Sequence, residues 1–240
     1  MKNELDGFRR LTWILAAALP CLLGPEVVVA QDSGPKPAAK APGTVKFRPP
    51  VSGAPSVRVT GGSRGSGNAT IALDVLAPDD IGVTTQEQPS LFWFQSQPAE
   101  ARFELTLLEE KRVKPLVQVS VERSSKAGIQ RLKLSDHGVK LSPGVEYQWV
   151  VALVTDPDNR SSDLVASGII KRVAPSAELK QQIRDATPES LPNIYGEAGI
   201  WYDALSVLSD QIEAHPDDHR LREARADLLR QVGLKAAAGP

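Results

Sequence analysis

The sequence predicts an α+β chain in which an all-β sandwich is followed by a helical hairpin. Three observations predict it. Between Ala69 and Ala174 apolar residues alternate with polar ones in seven strand-length runs separated by turn signals. From Ser176 onward the apolar spacing becomes helical. Ahead of both lies a stretch of Gly, Pro, Ser and Lys with little apolar surface to bury. The 240 residues are enough for one or two domains with a sizeable core.

Residues 1–30 read as a secretory signal. Arg9 and Arg10 form a basic flank, Leu11 to Leu23 an apolar stretch broken by Pro20, and Val28-Val29-Ala30 offers small residues for cleavage before Gln31. A retained anchor over Leu11 to Ala30 is the alternative. Glu26, Pro20 and Pro25 weigh against it, because a bilayer span needs roughly 20 mostly apolar residues. Cys21 is the sole cysteine, and Pro20 before it is a poor neighbour for lipid attachment. Cleavage after Ala30 leaves no thiol, which excludes disulfides, a cysteine nucleophile and thiolate metal sites. Residues 31–46 read as a flexible arm. Residues 47–68, rich in Gly and Pro, carry Phe47, Val51, Val57 and Val59 among the breakers and suit an extended segment lying against a domain.

Residues 69–174 supply the sandwich. The seven runs are TIALDVL, PSLFWFQ, RFELTLLEE, PLVQVSVER, GIQRLKLSD, EYQWVVALVTD and LVASGIIKRV. In the third, Phe103, Leu105 and Leu107 alternate with Arg102, Glu104 and Thr106. In the fourth, Val117, Val119 and Val121 alternate with Gln118, Ser120 and Glu122. Such strands bury one face and wet the other, so a second layer must cover them. Tyr147 to Val154 is apolar on both faces except at Gln148, which predicts a central strand. The run LSPGVEYQWVVAL, Leu141 to Leu153, resembles a late strand of fibronectin type III and immunoglobulin-like sandwiches. There a Tyr after a Pro-Gly turn bonds its hydroxyl to upstream backbone. In that resemblance Trp93 is the core Trp of an early strand.

Residues 175–240 supply a helical hairpin and a further helix. Gly199, Trp201, Ala204, Leu208 and Pro216 have the spacing of a tetratricopeptide unit, with Tyr195 four residues before the Gly. Gly199 permits a tight turn, Ala204 close helix approach, and Pro216 ends the second helix. Asp217 or Asp218 caps the next. Pro188 and Pro192 shorten the first helix. One unit cannot stand alone as a solenoid, so it must dock on the sandwich or on a partner.

Over the whole chain 28 basic residues face 29 acidic ones, a net charge of -1, which gives no electrostatic pull toward nucleic acid or an acidic membrane. Residues 175–240 carry seven basic and eleven acidic side chains, and residues 31–174 eighteen basic and fifteen acidic. This asymmetry favours docking of the two parts, though screened surface pairs contribute only about 0–1 kcal/mol each.

From Phe47 to Leu234 the chain resembles a bacterial family catalogued as domain of unknown function 928. The residues that carry the resemblance are FRPPVSGAPSVRVTGGSRG, PSLFWF, RFELTLLEE, LSPGVEYQWVVALVTDPDNRSSD, SGIIKRV and YGEAGIWYDALSVL. Gly199 to Leu205, GIWYDAL, is the most specific. Ser63 stands where the family usually has Thr, and Asp156 where a Cys is common. The resemblance implies an exported protein, with the GGSRG segment inside the folded unit, and no activity.

Several residues invite chemistry. Gly61-Gly62-Ser63-Arg64-Gly65 matches a nucleophile elbow, but lacks a following helix and reads as a glycine-rich turn. His215 and His219 flank Pro216-Asp217-Asp218; the Pro interrupts the helix that two imidazoles four apart would need, so they read as a helix connection. His137 reads as a solvated turn residue. Asp156, Asp158, Asn159 and Asp163 could ligate Ca²⁺, but Arg160 lies among them, and a polar loop is the preferred reading. Arg160 and Asp163, at one end of a sandwich, are the first candidates for recognition. Trp201 is expected in the core, whereas Tyr202 and Asp203 are candidates for a partner surface.

The expected function is that of an exported, non-enzymatic module with no metal or cofactor, binding a protein or envelope partner. The membrane enters only through an uncleaved signal. The alternative is a carbohydrate-binding module using Trp93, Tyr147, Trp149 and Trp201 as stacking platforms.

Overall fold

A computed structural model describes residues 44–50, 58–62, 71–99, 101–110, 112–121 and 126–239. Residues 1–30, most of residues 31–46, and Ser63 lie outside the described residues. The described residues belong to one compact unit.

The fold is α+β. Its strands are β1 (Gly61–Gly62), β2 (Ala72–Val75), β3 (Gly82–Thr84), β4 (Ser90–Gln95), β5 (Arg102–Glu109), β6 (Val117–Val121), β7 (Gly128–Lys133), β8 (Glu146–Val154) and β9 (Leu164–Arg172). They make two sheets, ordered β1-β2-β4-β7 and β3-β9-β8-β5-β6. All seven sequence runs are strands. β3 is too short to show a period, and it pairs parallel to β9, whereas the other strand pairs are antiparallel. The double-sided apolar run at β8 takes the middle of the five-stranded sheet, where both neighbours are strands.

The sheets pack face to face. Leu73, Val75, Leu91 and Trp93 of one meet Phe103, Leu105, Trp149, Val151 and Ala166 of the other, all buried. The Trp93 and Phe103 rings sit 6.0 Å apart across the interface. The backbone N–H of Ser142 donates to the Tyr147 hydroxyl at 3.0 Å, which ties the turn before β8 to the strand it feeds.

Five helices follow: α1 (Ala177–Asp185), α2 (Leu191–Glu197), α3 (Trp201–Ala214), α4 (His219–Gln231) and α5 (Lys235–Ala238). Ser176 caps α1 by accepting from the Leu179 N–H, and Asp218 caps α4 by accepting from the Arg220 N–H. Pro192 sits in the first turn of α2, where its missing N–H costs nothing, and limits that helix to seven residues. Gly199 turns the chain from α2 into α3 at φ +75°, a conformation that other residues adopt only with strain. α3 lies over the outer face of the four-stranded sheet. There Arg131 of β7 reaches Asp210 at 2.5 Å and covers the buried Phe92 ring at 5.2 Å.

Two extended segments tie the layers together. Val59 bridges Ser167 of β9 while Gly61 and Gly62 pair with β2, so residues 58–62 connect both sheets at one edge. The buried Arg58 guanidinium donates to the carbonyls of Ala77 and Val232 and pairs with Asp79. Residues 44–50 lie between α2 and α4. The Lys46 N–H donates to Asn193, the Phe47 N–H to Gln231, and the Arg48 N–H to the Gly196 carbonyl. Val45 is fully buried. The packed segment therefore begins before Phe47, where the sequence placed the end of the arm; a single apolar side chain among Pro, Gly and Lys gives no periodic signal.

Tyr147→Phe removes the acceptor for the Ser142 N–H. Urea denaturation should show a loss of about 0.5–1 kcal/mol at unchanged slope, because water replaces part of the bond at this partly exposed turn.

Candidate functional site: the Trp201–Asp203 seam and the loop after β8

The first turn of α3 projects three consecutive residues about 100° apart around the helix, so no single apolar face can bury all of them. Yet Trp201, Tyr202 and Asp203 are all buried, because the start of α3 is inserted into the edge where the chain crosses from β2 to β3. The Trp201 indole N–H donates to the Leu76 carbonyl at 2.8 Å, and the Phe47 ring meets the indole edge-on at 4.9 Å. The Tyr202 hydroxyl accepts from the Trp149 indole at 2.8 Å and donates to the Ile169 carbonyl at 3.1 Å. Burial pushes the Tyr202 phenol far up, so it stays protonated. Gly82 lies against this ring: a Cβ there would stand 2.5 Å from Cε2.

Asp203 reaches the end of β3. Its carboxylate accepts from the hydroxyl of Thr84 at 2.6 Å, the hydroxyl and N–H of Thr85, and the Gln86 side chain at 3.4 Å. It makes no ion pair among the described residues. Burial pushes its pKa up, and the hydrogen bonds from Thr84, Thr85 and Gln86 oppose that rise. The nearby Tyr195 phenol is raised by its own burial first and by the charge of Asp203 second. These bonds fasten the first turn of α3 to the end of β3 and the residues after it.

This corrects the expectation that Tyr202 and Asp203 form a partner surface. Helical spacing marks one inward face, but a helix end inserted in a socket buries every direction. Trp93, Tyr147 and Trp149 are buried too, which removes the stacking platform a carbohydrate-binding reading needed. Nothing in the pattern of Thr84, Thr85 and Gln86 announces a carboxylate from 118 residues away.

The loop after β8 brings Arg160 and Asp163 together. Arg160 donates to Asp163 at 2.6 Å and to Glu104 of β5 at 2.7 Å, and Glu104 also holds Arg102. Arg160 remains half exposed, while the Asp163 side chain is 5% exposed. Asp163 is therefore withdrawn from the surface as the anchor of Arg160. The carboxylates do not converge on a cation site: Asp156 accepts from the Asp158 N–H, and the Asn159 side chain accepts from Ser161. No group of three or more His, Cys, Asp or Glu among the described residues could hold a metal ion. His137 ends a 3₁₀ turn, and His219 bonds the Arg222 guanidinium at 2.9 Å.

A family model described as Domain of Unknown Function (DUF928) matches residues 59–239. The chain belongs to this family. No curated protein matches it. The DUF928 match opens at Val59, the residue that bridges β9, and spans all nine strands and five helices described above. The GIWYDAL run of this DUF928 chain is the seam itself.

Two outcomes test the seam. Gly82→Ala should destabilise the protein by about 1–3 kcal/mol in urea unfolding, since the methyl group must displace the Tyr202 ring. Asp203→Asn should remove a pH dependence. Below the ordinary carboxyl value of 3.8 folded and unfolded chains both hold the Asp203 proton, and its contribution is full. As pH rises through the raised folded value, the folded chain gives up a proton it holds more tightly than the unfolded chain, and that contribution declines. The stability margin of the native protein over the variant should thus shrink as pH rises above 3.8; a constant or widening margin contradicts this.

Proposed function

We propose that this protein is an exported, non-enzymatic interaction module. In this reading it carries a fibronectin type III-like sandwich with a docked tetratricopeptide-like hairpin, and binds a protein or another envelope component. The observation that carries the reading is the commitment of Trp201, Tyr202 and Asp203, the centre of the most specific motif, to joining sheets and helices. The strand order, with β3 crossing over to run parallel to β9, and the Ser142–Tyr147 bond support the sandwich assignment. The spacing of Gly199, Trp201, Ala204, Leu208 and Pro216 supports the hairpin. Export rests on Arg9, Arg10, the Leu11 to Leu23 stretch and the small residues before Gln31.

Arg160 is the recognition residue of choice. Its guanidinium is oriented by Glu104 and Asp163 and keeps part of its surface in solvent, so little order is lost when a partner meets it. A photo-crosslinking amino acid at the exposed Ser161, introduced in the native host, should give a discrete adduct in the envelope or secreted fraction. Arg160→Glu should reduce its yield at least about fivefold, a cost of ~1 kcal/mol. Absence of any adduct, or retention of the protein in the cytosol, argues against the proposal.

A further inference from the structure

α4 presents Arg222, Arg225, Ala226 and Leu229 on one stripe, spaced i, i+3, i+4 and i+7. A stripe turned toward a sheet is normally apolar, yet half of this one is guanidinium. It does not close against the protein. Between it and the end of the four-stranded sheet lies a cleft of about 460 Å³, walled by Phe94 and Gly128 on the sheet side and by Ala236 to Gly239 on the other. That volume lies within the roughly 300–1,000 Å³ of small-molecule sites.

Among the described residues no carboxylate pairs with either arginine in this cleft. The seven arginines that form ion pairs among the described residues each have a carboxylate within 3 Å, Arg58 with Asp79, Arg131 with Asp210 and Arg230 with Asp227 among them. Among the described residues neither Arg222 nor Arg225 makes an ion pair. Arg222 donates to the Pro216 carbonyl and meets His219. Arg225, half-buried, makes one bond, to the Ser209 hydroxyl at 3.5 Å. The carboxylate that acts on it, Glu213, lies beyond ion-pair distance and turns to Arg131 at 3.4 Å. Burial first, and the charge of Arg222 second, push the Arg225 pKa down, against the pull of Glu213. A guanidinium has five N–H donors, and a half-buried one with a single long bond has most of them unused. Apart from Ser96 and the glycines, the rest of the lining is apolar: Phe94, Ala127, Ala226, Leu229 and the alanines of α5.

We propose that this cleft binds a small organic oxyanion, a carboxylate or phosphate monoester with an apolar body. The oxyanion lies between Arg222 and Arg225, where planar guanidinium forks match its oxygens. The apolar body lies against Phe94 and Leu229. This site is independent of the Arg160 loop and of the Trp201–Asp203 seam.

The test is an amide NMR titration of the purified protein with hexyl phosphate and hexanoate, with hexanol, hexylamine and inorganic phosphate as comparisons. At least one of the two organic anions should saturate, with shifts centred on Gly128, Arg222, Arg225 and Leu229. Hexanol, hexylamine and inorganic phosphate should each bind at least about tenfold more weakly, a difference of ~1.4 kcal/mol. Arg225→Met should weaken the anion at least tenfold while Arg230→Gln, on the paired exposed arginine, leaves it unchanged. Should Arg225→Met fail to fold, Arg222→Gln serves in its place, since that side chain bears less on the packing. Lack of saturable shifts with both anions, equal binding of hexanol, equal binding of inorganic phosphate, or anion affinity unaltered by the arginine substitution each overturns the proposal.

Discussion

Insertion of the first turn of α3 between the sheets is the constraint on which the rest of the structure depends. Two indole N–H groups, one phenol and one carboxylate are taken out of water there, and each is satisfied by a partner on a different element. The Leu76 carbonyl belongs to the crossover, Trp149 and Ile169 to the five-stranded sheet, and Thr84 to β3. A buried polar group left without its partner costs about 1–3 kcal/mol, and a charged one more, so these contacts specify a single docking pose as much as they strengthen it. Removing any one element would strand polar atoms contributed by the others. The sheets and helices are in this sense one folding unit.

The same need explains how the edges are managed. A three-residue strand such as β3 has few ladder bonds of its own. It is held by β9 on one side and by Asp203 at its end. Residues 58–62 cover the neighbouring edge by pairing with both sheets, and Arg58 reaches from this segment to the crossover and to the C-terminal end of α4. That carbonyl end of a helix is a favourable place for a cation. Residues 44–50 fill the channel between α2 and α4, so an N-terminal segment with almost no periodic signal completes the helical layer. A helical pair whose channel is already occupied by its own chain presents other surfaces to solvent, and the cleft beside α4 is among them.

The parts legible in the sequence are those with a local physical cause. Alternation marked strands such as β5 and β6, because an amphipathic strand must repeat every second residue. The double-sided apolar run marked β8 as central. Gly199, Pro192, Pro216 and Asp218 set the helix boundaries by backbone rules that need no tertiary context. Trp201 was legible as core from repeat spacing. Tyr202 and Asp203 were not, because the reading assumed a helix with one wet side. Likewise Asp163 reads as a loop carboxylate, and only its meeting with Arg160 and the neighbourhood of Glu104 withdraws it from solvent. Arg222 and Arg225 look like ordinary charges on a solvated helix until the sheet across the cleft is in place.

By itself the sequence determined the α+β class, the order and type of the long elements and the turn chemistry. These follow from periodicity and backbone stereochemistry within windows of a few residues. The tertiary structure alone decided which way the helices dock, that β3 runs parallel to β9, and that Tyr202 and Asp203 lie inside. It alone left two arginines facing a cleft without carboxylates. Those outcomes depend on groups more than a hundred residues apart meeting at hydrogen-bond distance or failing to meet, and no local pattern encodes such a meeting.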